Sequence, residues 1–320
     1  MSTRKSTAFV YDDAFVTHDT GPGHPERPER ASNTLAHLQA QEWFADLLQL
    51  PARNATEEEI AAIHPVAYQQ RVRAACLDGQ PFLDSMDVAI SGESYDVALL
   101  AAGAPLALAD AVVEGRAANG FALLRPPGHH AEAEEALGFC LFNNVAVLAR
   151  YLQRRHGLER IAIVDWDVHH GNGTQHAFEE APDVMYVSTH QYPYYPGTGG
   201  VDETGHGAGR GSIVNCPMTA GAGNTAYERA FAETIVPALD MFRPDALIIS
   251  AGFDAHQDDP LAQINLTTAF YGWMTERLAE VADSHAGGRI ISVLEGGYNL
   301  RRLAESAATH IDMLRDVASR

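Results

Sequence analysis

One short segment of the sequence carries the densest group of side chains able to do chemistry. Residues 161–164, an apolar run with β-branched members, predict a buried strand, and Asp165, Asp167, His169 and His170 follow it directly. Burying such groups is costly unless they are paired or bind a metal ion. Asp167 and His169 are two residues apart, so an extended chain places both on one face, about 6–7 Å apart. Their oxygen and nitrogen donors suit Zn²⁺ or another first-row divalent ion.

The remainder of the chain alternates apolar strand patterns with helical patterns. This alternation predicts βα units and a mainly parallel sheet. Because no internal repeat or low-complexity linker interrupts it, we expect one domain over residues 1–320. Residues 56–78 predict a helix broken at His64-Pro65. Residues 84–93 and the Tyr/Pro/Gly-rich stretch 189–211 are expected to be loops.

Four of the predicted strands end next to polar or titratable residues. Functional groups on an open parallel sheet gather beyond the carboxyl ends of its strands, so these residues should share one rim. They are His129 and His130 after residues 121–124, the acid and histidine cluster after 161–164, Asp254 after 245–250, and Tyr298 after 290–294. This coincidence predicts a catalytic site.

Asp254 is the best candidate for a third metal ligand. With Asp167 and His169 it would leave positions open for water and substrate, as a catalytic zinc site requires. A metal held in this way lowers the pKa of bound water to roughly 7. His129 and His130 would supply acid–base groups with pKa values near the working pH.

Two further residues fit supporting roles in such a site. Asp165 can accept a hydrogen bond from one imidazole and fix its tautomer. Tyr298 follows two glycines on a turn, and its hydroxyl could donate to a developing oxyanion. His170 and His176 are interpreted as structural, because the three proposed ligands already serve the metal.

Composition and charge narrow the classes of partner. The chain is 46% hydrophobic over 320 residues, enough for a sizeable core. Its net charge of −20 argues against a nucleic-acid-binding surface and favours cationic substrates. Three separated cysteines without a CxxC motif indicate a reducing compartment. The first 13 residues lack the apolar core of a signal peptide, and no apolar run of 18 residues predicts a membrane span, so we expect a cytoplasmic protein.

Six motifs together resemble those of zinc-dependent histone deacetylases and their bacterial relatives, which include acetylpolyamine amidohydrolases. The resemblance extends from about residue 11 to residue 314 and is closer to the class II branch than to class I. It implies an arginase/deacetylase-like three-layer α/β fold, with an eight-stranded, mainly parallel sheet between helices. The motifs are RPPGHHA (125–131), GFCLFNN (138–144), DWDVHHGNGTQ (165–175), YPGTG (195–199), SAGFDAH (250–256) and LEGGYN (294–299).

The resemblance implies a zinc-dependent amidohydrolase that removes acetyl, or another acyl group, from an amine nitrogen. The metal ligands that it assigns are Asp167, His169 and Asp254, and the catalytic residues are His129, His130, Asp165, Asn172 and Tyr298. In this scheme His130 is the general base and then the acid, while His129 is an electrostatic partner held by Asp165. Asn172, where class I members carry Asp, orients His130 and should leave it less basic.

The same resemblance assigns residues that contact the substrate and structural cations. The residues that it assigns to the substrate are Gly138, Phe139, Tyr195 and Gly296. Glu93 would also contact the substrate, from a loop at the rim that aligns poorly with the family. Arg30 would belong to an internal tunnel through which acetate is released. One or two K⁺ ions are also implied. The first would be held by Asp165, Ser188 and backbone carbonyls of Asp167, His169 and Thr189, and the second by carbonyls around Phe178 and Val184.

Two other functions are compatible with parts of this pattern. A ureohydrolase of the arginase or agmatinase type would need two bridged Mn²⁺ ions and more carboxylates than the sequence offers. A non-catalytic acyl-amine sensor would not need Tyr298 and His130. The sequence does not choose between acetyl-lysine peptides, acetylpolyamines and other acylated amines, and it is compatible with a homo-oligomer without specifying one.

Overall fold

A parallel sheet forms the centre of the computed structural model, which describes residues 6–320. The strands in this part of the chain are β1 (Ser6–Val10), β2 (Leu48–Leu50), β3 (Phe82–Leu83), β4 (Ser85–Ala89), β5 (Ala117–Ala122), β6 (Ile161–Asp165), β7 (Val184–Gln191), β8 (Ile213–Met218), β9 (Ala246–Ala251) and β10 (Ile290–Leu294). Eight of them pair in the order β2-β1-β5-β10-β9-β6-β7-β8, parallel throughout. The predicted fold class is therefore confirmed.

Helices cover both faces of the sheet, which gives three layers. They are α1 (Glu29–Gln39), α2 (Glu57–Ile60), α3 (Val66–Leu77), α4 (Ser94–Val113), α5 (Asn144–His156), α6 (Asn172–Phe178), α7 (Asn224–Ala230), α8 (Val236–Phe242), α9 (Thr268–His285) and α10 (Leu300–Ala318). One core contains the buried residues of α4 and α5, and the other contains those of α9 and α10. A π-helical turn, Phe231–Ile235, joins α7 to α8.

The central strand β6 shows why the sequence specifies two cores. Ile161 and Ile163 belong to the core under α4 and α5, whereas Ala162 and Val164 belong to the opposite one. Successive side chains of a strand point to opposite faces, so a strand with four successive apolar residues, as at 161–164, must be covered on both sides. This requirement places β6 in the interior of the sheet, between β7 and β9.

Helix α4 is a long alanine- and leucine-rich element whose length and apolar composition would also allow it to cross a membrane. The absence of an uninterrupted apolar run of 18 residues did not indicate such a helix, because Asp96 and Asp110 interrupt the apolar residues of α4. In the structure most of α4 is buried, and it packs against β5, β1 and α5. Helix α4 is therefore buried in the way that is typical of a core helix in a globular domain.

Several peripheral elements differ from the sequence expectations. Residues 84–93 were expected to be a loop, but β4 lies there and pairs antiparallel with β3. Strands β2 and β8 were not expected either, and both are edge strands of the main sheet. Edge strands contact one neighbour and bury less side-chain area, so their apolar pattern is weak. The expected break at His64-Pro65 is confirmed, since α2 ends at Ile60 and α3 begins at Val66.

Candidate active site

The predicted site residues meet at the carboxyl ends of four neighbouring strands. These strands, β5, β10, β9 and β6, are consecutive in the middle of the sheet. The loops after them carry the histidine pair, the LEGGYN turn, Asp254 and the DWDVHHGN segment, respectively. Parallel strands side by side bring their carboxyl ends to one edge, which is why residues up to 169 positions apart share a site.

Asp167, His169 and Asp254 form a group with the geometry of a metal site. One donor atom from each lies within 4.8 Å of the others. His169 Nδ1 is 3.1 Å from Asp167 Oδ1 and 3.2 Å from Asp254 Oδ2. Asp254 Oδ2 is buried and has no hydrogen-bond donor among the described residues. Burying a carboxylate oxygen without a hydrogen-bond donor costs free energy, and a bound cation would offset this cost.

Backbone groups around these residues are packed tightly enough to fix the carboxylates. The Gly296 N–H donates to Asp167 Oδ2 at 2.7 Å, and the Val168 N–H donates to Asp254 Oδ1 at 2.8 Å. A Cβ atom at Gly296 would lie only 2.2 Å from Asp254 Oδ2. Gly296, which the resemblance assigns to the substrate, thus contacts the proposed metal ligands.

The charge of the site also favours a cation. Asp165, Asp167, Asp254 and Glu295 are all buried here. Burial raises the pKa of Asp254, and the nearby Asp167 carboxylate raises it further. Burial lowers the pKa of His169, but its contacts with Asp167 and Asp254 outweigh this and raise that pKa to about 10. The protein alone therefore stabilises positive charge at the position where the three donors converge. A divalent ion fits this position.

The histidine pair after β5 has two different environments. His129 Nδ1 lies 3.0 Å from Asp165 Oδ2, whereas His130 Nδ1 lies 2.7 Å from the amide oxygen of Asn172. Burial lowers the pKa of His129, but Asp165 and Asp167 raise it to about 10. Burial and the neighbouring His129 and His169 lower the pKa of His130 well below its usual value. One imidazole thus remains charged and the other remains neutral, able to accept a proton.

A cavity of about 120 Å³ opens above these residues. Its lining comprises Asp87, His130, Gly138, Phe139, His169, Tyr195, Leu261 and Tyr298. The Tyr195 ring stands perpendicular to His130, and the Phe139 ring is edge-on to Tyr298. Phe139 and Tyr195, which the resemblance assigns to the substrate, both line this cavity. Gly138 has a φ of 56°, and a Cβ there would lie 2.2 Å from the His130 ring, so this position requires glycine.

The expectation for Glu93 is not met. Glu93 is an exposed residue at the start of α4, and it is not among the described residues that line the cavity. The acidic side chain at the rim is Asp87 on β4, whose Oδ2 accepts a hydrogen bond from the Tyr195 hydroxyl at 3.0 Å. Because residues 84–93 were expected to be an irregular loop, Asp87 could not be placed.

Tyr298 is held at the edge of the cavity by its own turn. Asp259 Oδ2 accepts hydrogen bonds from the Tyr298 and Asn299 N–H groups at 2.7 and 3.1 Å. Burial raises the pKa of Tyr298 well above its usual value, although Arg30 beside it acts in the opposite direction. The phenol therefore keeps its proton at neutral pH and can donate it in a hydrogen bond.

Arg30 lies behind Tyr298, with its guanidinium carbon 5.0 Å from the centre of the ring. It is completely buried and donates to the Gly297 carbonyl at 2.7 Å and to Glu26 at 2.9 Å. Glu26 also accepts two hydrogen bonds from Arg125, at 2.6 and 2.7 Å. Sequence reasoning missed Glu26 and Arg125, because charged residues in proline-rich loops are ordinarily exposed and no local pattern predicts that these two form a buried pair.

Glu295 is a second missed residue. Its carboxylate accepts hydrogen bonds from the Gly128 N–H at 2.7 Å and the His129 N–H at 3.2 Å. It therefore ties the end of β10 to the loop that carries the histidine pair. Burial raises the pKa of Glu295 to about 7. The LEGGYN motif contains this residue, but nothing in the sequence distinguishes it from a solvated turn residue.

The residues that the resemblance assigns to monovalent cations lie on β6, on β7 and at the end of α6. Asp165 on β6 is the register partner of Ser188 on β7, so their side chains lie next to each other. The hydroxyl oxygen of Thr189 is buried without a partner in residues 6–320. Phe178 ends α6 and Val184 begins β7, and both are buried.

Comparisons with known proteins identify the family of the chain. The chain matches the Histone deacetylase domain family over residues 24–314. It is 42% identical to Histone deacetylase 14, chloroplastic, of Arabidopsis thaliana, over 94% of this chain and 75% of that protein. It is 38% identical to the Histone deacetylase-like amidohydrolase of Pseudomonas aeruginosa, over 92% of this chain and 82% of the relative.

A human relative and a solved structure extend the comparison. The chain is 40% identical to Polyamine deacetylase HDAC10 of Homo sapiens, over 96% of this chain and 48% of that protein. The crystal structure of the HDA15 HD domain has a TM-score of 0.93 and 39% identity, and the match covers 99% of this chain and 91% of that chain. The chain belongs to the histone deacetylase family.

Proposed function

We propose that this protein is a zinc-dependent deacetylase, which hydrolyses the amide bond between an acetyl group and a primary amine. The observation that carries the proposal is the convergence of three metal-type ligands, a neutral histidine and a phenol on one narrow cavity. Family membership supports hydrolytic deacetylation, and the oxygen and nitrogen donors support zinc. Asp167, His169 and Asp254 would hold this ion.

The ion, when bound, would supply positive charge that polarises the substrate carbonyl and acidifies a water molecule. His130 then accepts the proton of the attacking water at Nε2, because its Nδ1 faces the Asn172 oxygen. The Tyr298 hydroxyl donates to the carbonyl oxygen as negative charge develops there. His130 returns its proton to the amine nitrogen, and the C–N bond breaks. His129 keeps its positive charge against Asp165 throughout.

The cavity supports a slender substrate with a small acyl group. Phe139 and Tyr195 form aromatic walls that admit an aliphatic stem and exclude branched groups. Asp87 adds a carboxylate at the rim, whereas Leu261 on the lining is apolar. The named substrate class of the human relative, polyamines, makes acetylpolyamines candidates alongside acetyl-lysine peptides. We favour acetyl-lysine compounds slightly, and we expect the net charge of −20 to attract cationic substrates.

Monovalent cations complete the proposal. A K⁺ ion held by Asp165 and Ser188, with carbonyls of Asp167, His169 and Thr189, would stabilise the loop after β6. The adjacency of β6 and β7 supports this first site. A second K⁺ near Phe178 and Val184 rests on the resemblance alone.

Turnover of a substrate panel tests the proposed function. The zinc-loaded protein should release acetate from an acetyl-lysine peptide and from acetylputrescine, and His130→Ala should lose this activity without losing zinc. The value of kcat/KM for cationic substrates should fall as salt rises, while that for a neutral acylated amine should not. Binding of every substrate without turnover would favour the sensor, and two equivalents of Mn²⁺ at the site would favour the ureohydrolase.

A further inference from the structure

The Asn172 amide is surrounded by groups of fixed hydrogen-bonding character. Its Nδ2 donates to a carboxylate oxygen of Glu132 and, at 3.3 Å, to the backbone carbonyl of His130. Its Oδ1 lies 2.7 Å from His130 Nδ1. Asn172 is buried, so water does not compete for these partners. The orientation of the amide is therefore decided by its neighbours.

Glu132 is itself held in place from two directions. His176 Nδ1 lies 2.9 and 3.0 Å from its two carboxylate oxygens. His176 is four residues after Asn172 on α6, so both face Glu132 from the same side of the helix. The Glu132 N–H also donates to the Glu135 carbonyl at 2.9 Å, which closes the loop that carries it. A continuous series of contacts thus runs from the half-exposed His176 to the buried His130.

The character of these groups determines which nitrogen of His130 carries its proton. A carboxylate and a carbonyl can only accept, so the amide nitrogen of Asn172 must face Glu132 and its oxygen must face His130. That oxygen also only accepts, so the neutral His130 must carry its hydrogen on Nδ1 and its lone pair on Nε2. If the amide turned over, Nδ2 would donate to Nδ1, and the hydrogen would move to Nε2, where it blocks proton transfer from water.

We propose that Glu132 is a positioning residue that fixes the orientation of the Asn172 amide and thereby the catalytic tautomer of His130. The inference rests on the proposed function, in which His130 accepts a proton at Nε2. Glu132 does not touch the cavity, since it is not among the described residues that line it. It acts from behind Asn172, and His176 restrains it. The wrong tautomer of a catalytic histidine lowers kcat strongly in other hydrolases.

Kinetics on the zinc-loaded protein give the first test. Glu132→Ala should lower kcat about tenfold or more, with KM and zinc content unchanged. Glu132→Gln should retain most of the activity, because its amide oxygen can still accept from Asn172. Glu134→Ala is the matched control, since Glu134 is an exposed acid of the same loop. Equal activity of the Glu132→Ala and Glu134→Ala variants would overturn the inference.

A comparison of the Glu132→Gln change in two backgrounds distinguishes a positioning role of Glu132 from a general effect on the stability of its loop. Asn172→Asp places a carboxylate against Glu132, so this variant should be impaired, and adding Glu132→Gln should restore part of its kcat. The same Glu132→Gln change should be neutral or harmful when Asn172 is present. An identical fold-change in both backgrounds would refute the coupling. This comparison remains informative if Glu132→Ala does not fold.

A readout that needs no substrate distinguishes this inference from the proposed function. In protein labelled with ¹⁵N at histidine, the ring nitrogens of His130 are assigned by their loss in His130→Ala. Nδ1 should be the protonated nitrogen in the wild type, and Glu132→Ala should shift protonation toward Nε2. Should the wild type hydrolyse no acyl-amine, the proposed function fails while this measurement still decides the tautomer. Protonation of Nδ1 that Glu132→Ala leaves unchanged would contradict the inference.

Discussion

Replacing Gly296 by alanine tests how closely the backbone approaches the proposed metal ligands. The added Cβ would lie 2.2 Å from Asp254 Oδ2 and 2.5 Å from Asp167 Oδ2, where ordinary contact begins at 3.4 Å. The oxygens must therefore withdraw by roughly 1 Å, whereas a metal site tolerates departures of about 0.2 Å in its ligand distances. The Gly296 N–H bond to Asp167 would be disturbed as well.

We expect Gly296→Ala to weaken zinc binding by about 100-fold or more, since losing a single supporting hydrogen bond already costs about 10–100-fold. Deacetylase activity at limiting zinc should fall in proportion. The measurement is a titration of metal-free protein with Zn²⁺ in competition with a chromophoric chelator. Gly92→Ala is the matched control, because Gly92 is exposed and nothing lies within 4 Å of a Cβ built there.

Thermal unfolding of the metal-free proteins shows whether Gly296→Ala acts through folding. The variant should melt close to the metal-free wild type and should gain less stability when zinc is added. Stoichiometric zinc bound by Gly296→Ala with wild-type affinity would refute the argument from close approach.

Three further predictions concern the site and its support. Tyr298→Phe should lower kcat by about 10²–10³ with unchanged metal content, measured by steady-state kinetics and elemental analysis, because one oxyanion donor is lost. Asp254→Ala should abolish both bound metal and activity, since two ligands rarely hold a catalytic zinc. Burial raises the pKa of Glu26, but Arg125 and Arg30 outweigh it and lower the pKa to about 2. Glu26→Gln should therefore cost about 3–5 kcal/mol at neutral pH, because buried arginines lose their partner. The pKa of Glu26 in the folded protein lies below its unfolded value of about 4.3. The stabilisation by the ionised carboxylate is therefore complete above about pH 4.3 and disappears as the pH falls toward 2. Denaturant titrations should show the gap between wild type and variant narrowing below about pH 4.

The central strands and the proposed ligands were predictable from sequence because they depend on local rules. The apolar run of residues 161–164 could be buried only inside a sheet, and parallel strands bring their carboxyl ends to one edge. Asp167, His169 and Asp254 follow from these two rules together with the chemistry of their donors. The histidine pair was found in the same way.

The missed residues depend on contacts between distant segments. Asp87 reaches the site only through β4, whose pairing with β3 has no strong sequence pattern. Glu26 and Glu295 are acids whose burial depends on Arg125 and on two N–H groups of another loop, and periodicity cannot reveal such partners. The resemblance indicates Glu93 rather than Asp87 at the rim, because residues 84–93 carry no pattern that sets their register.

The buried position of Arg30 has a consequence for any shortened or permuted form of the chain. Arg30 lies on α1, yet its guanidinium supports the Gly297 carbonyl and the face of Tyr298. The first turn of α1 therefore supports the catalytic turn from behind, although it is distant from that turn in sequence. A chain that starts after α1 would lose β1, an interior strand that pairs with β2 and β5, together with the support of its phenol, so new termini are better introduced elsewhere.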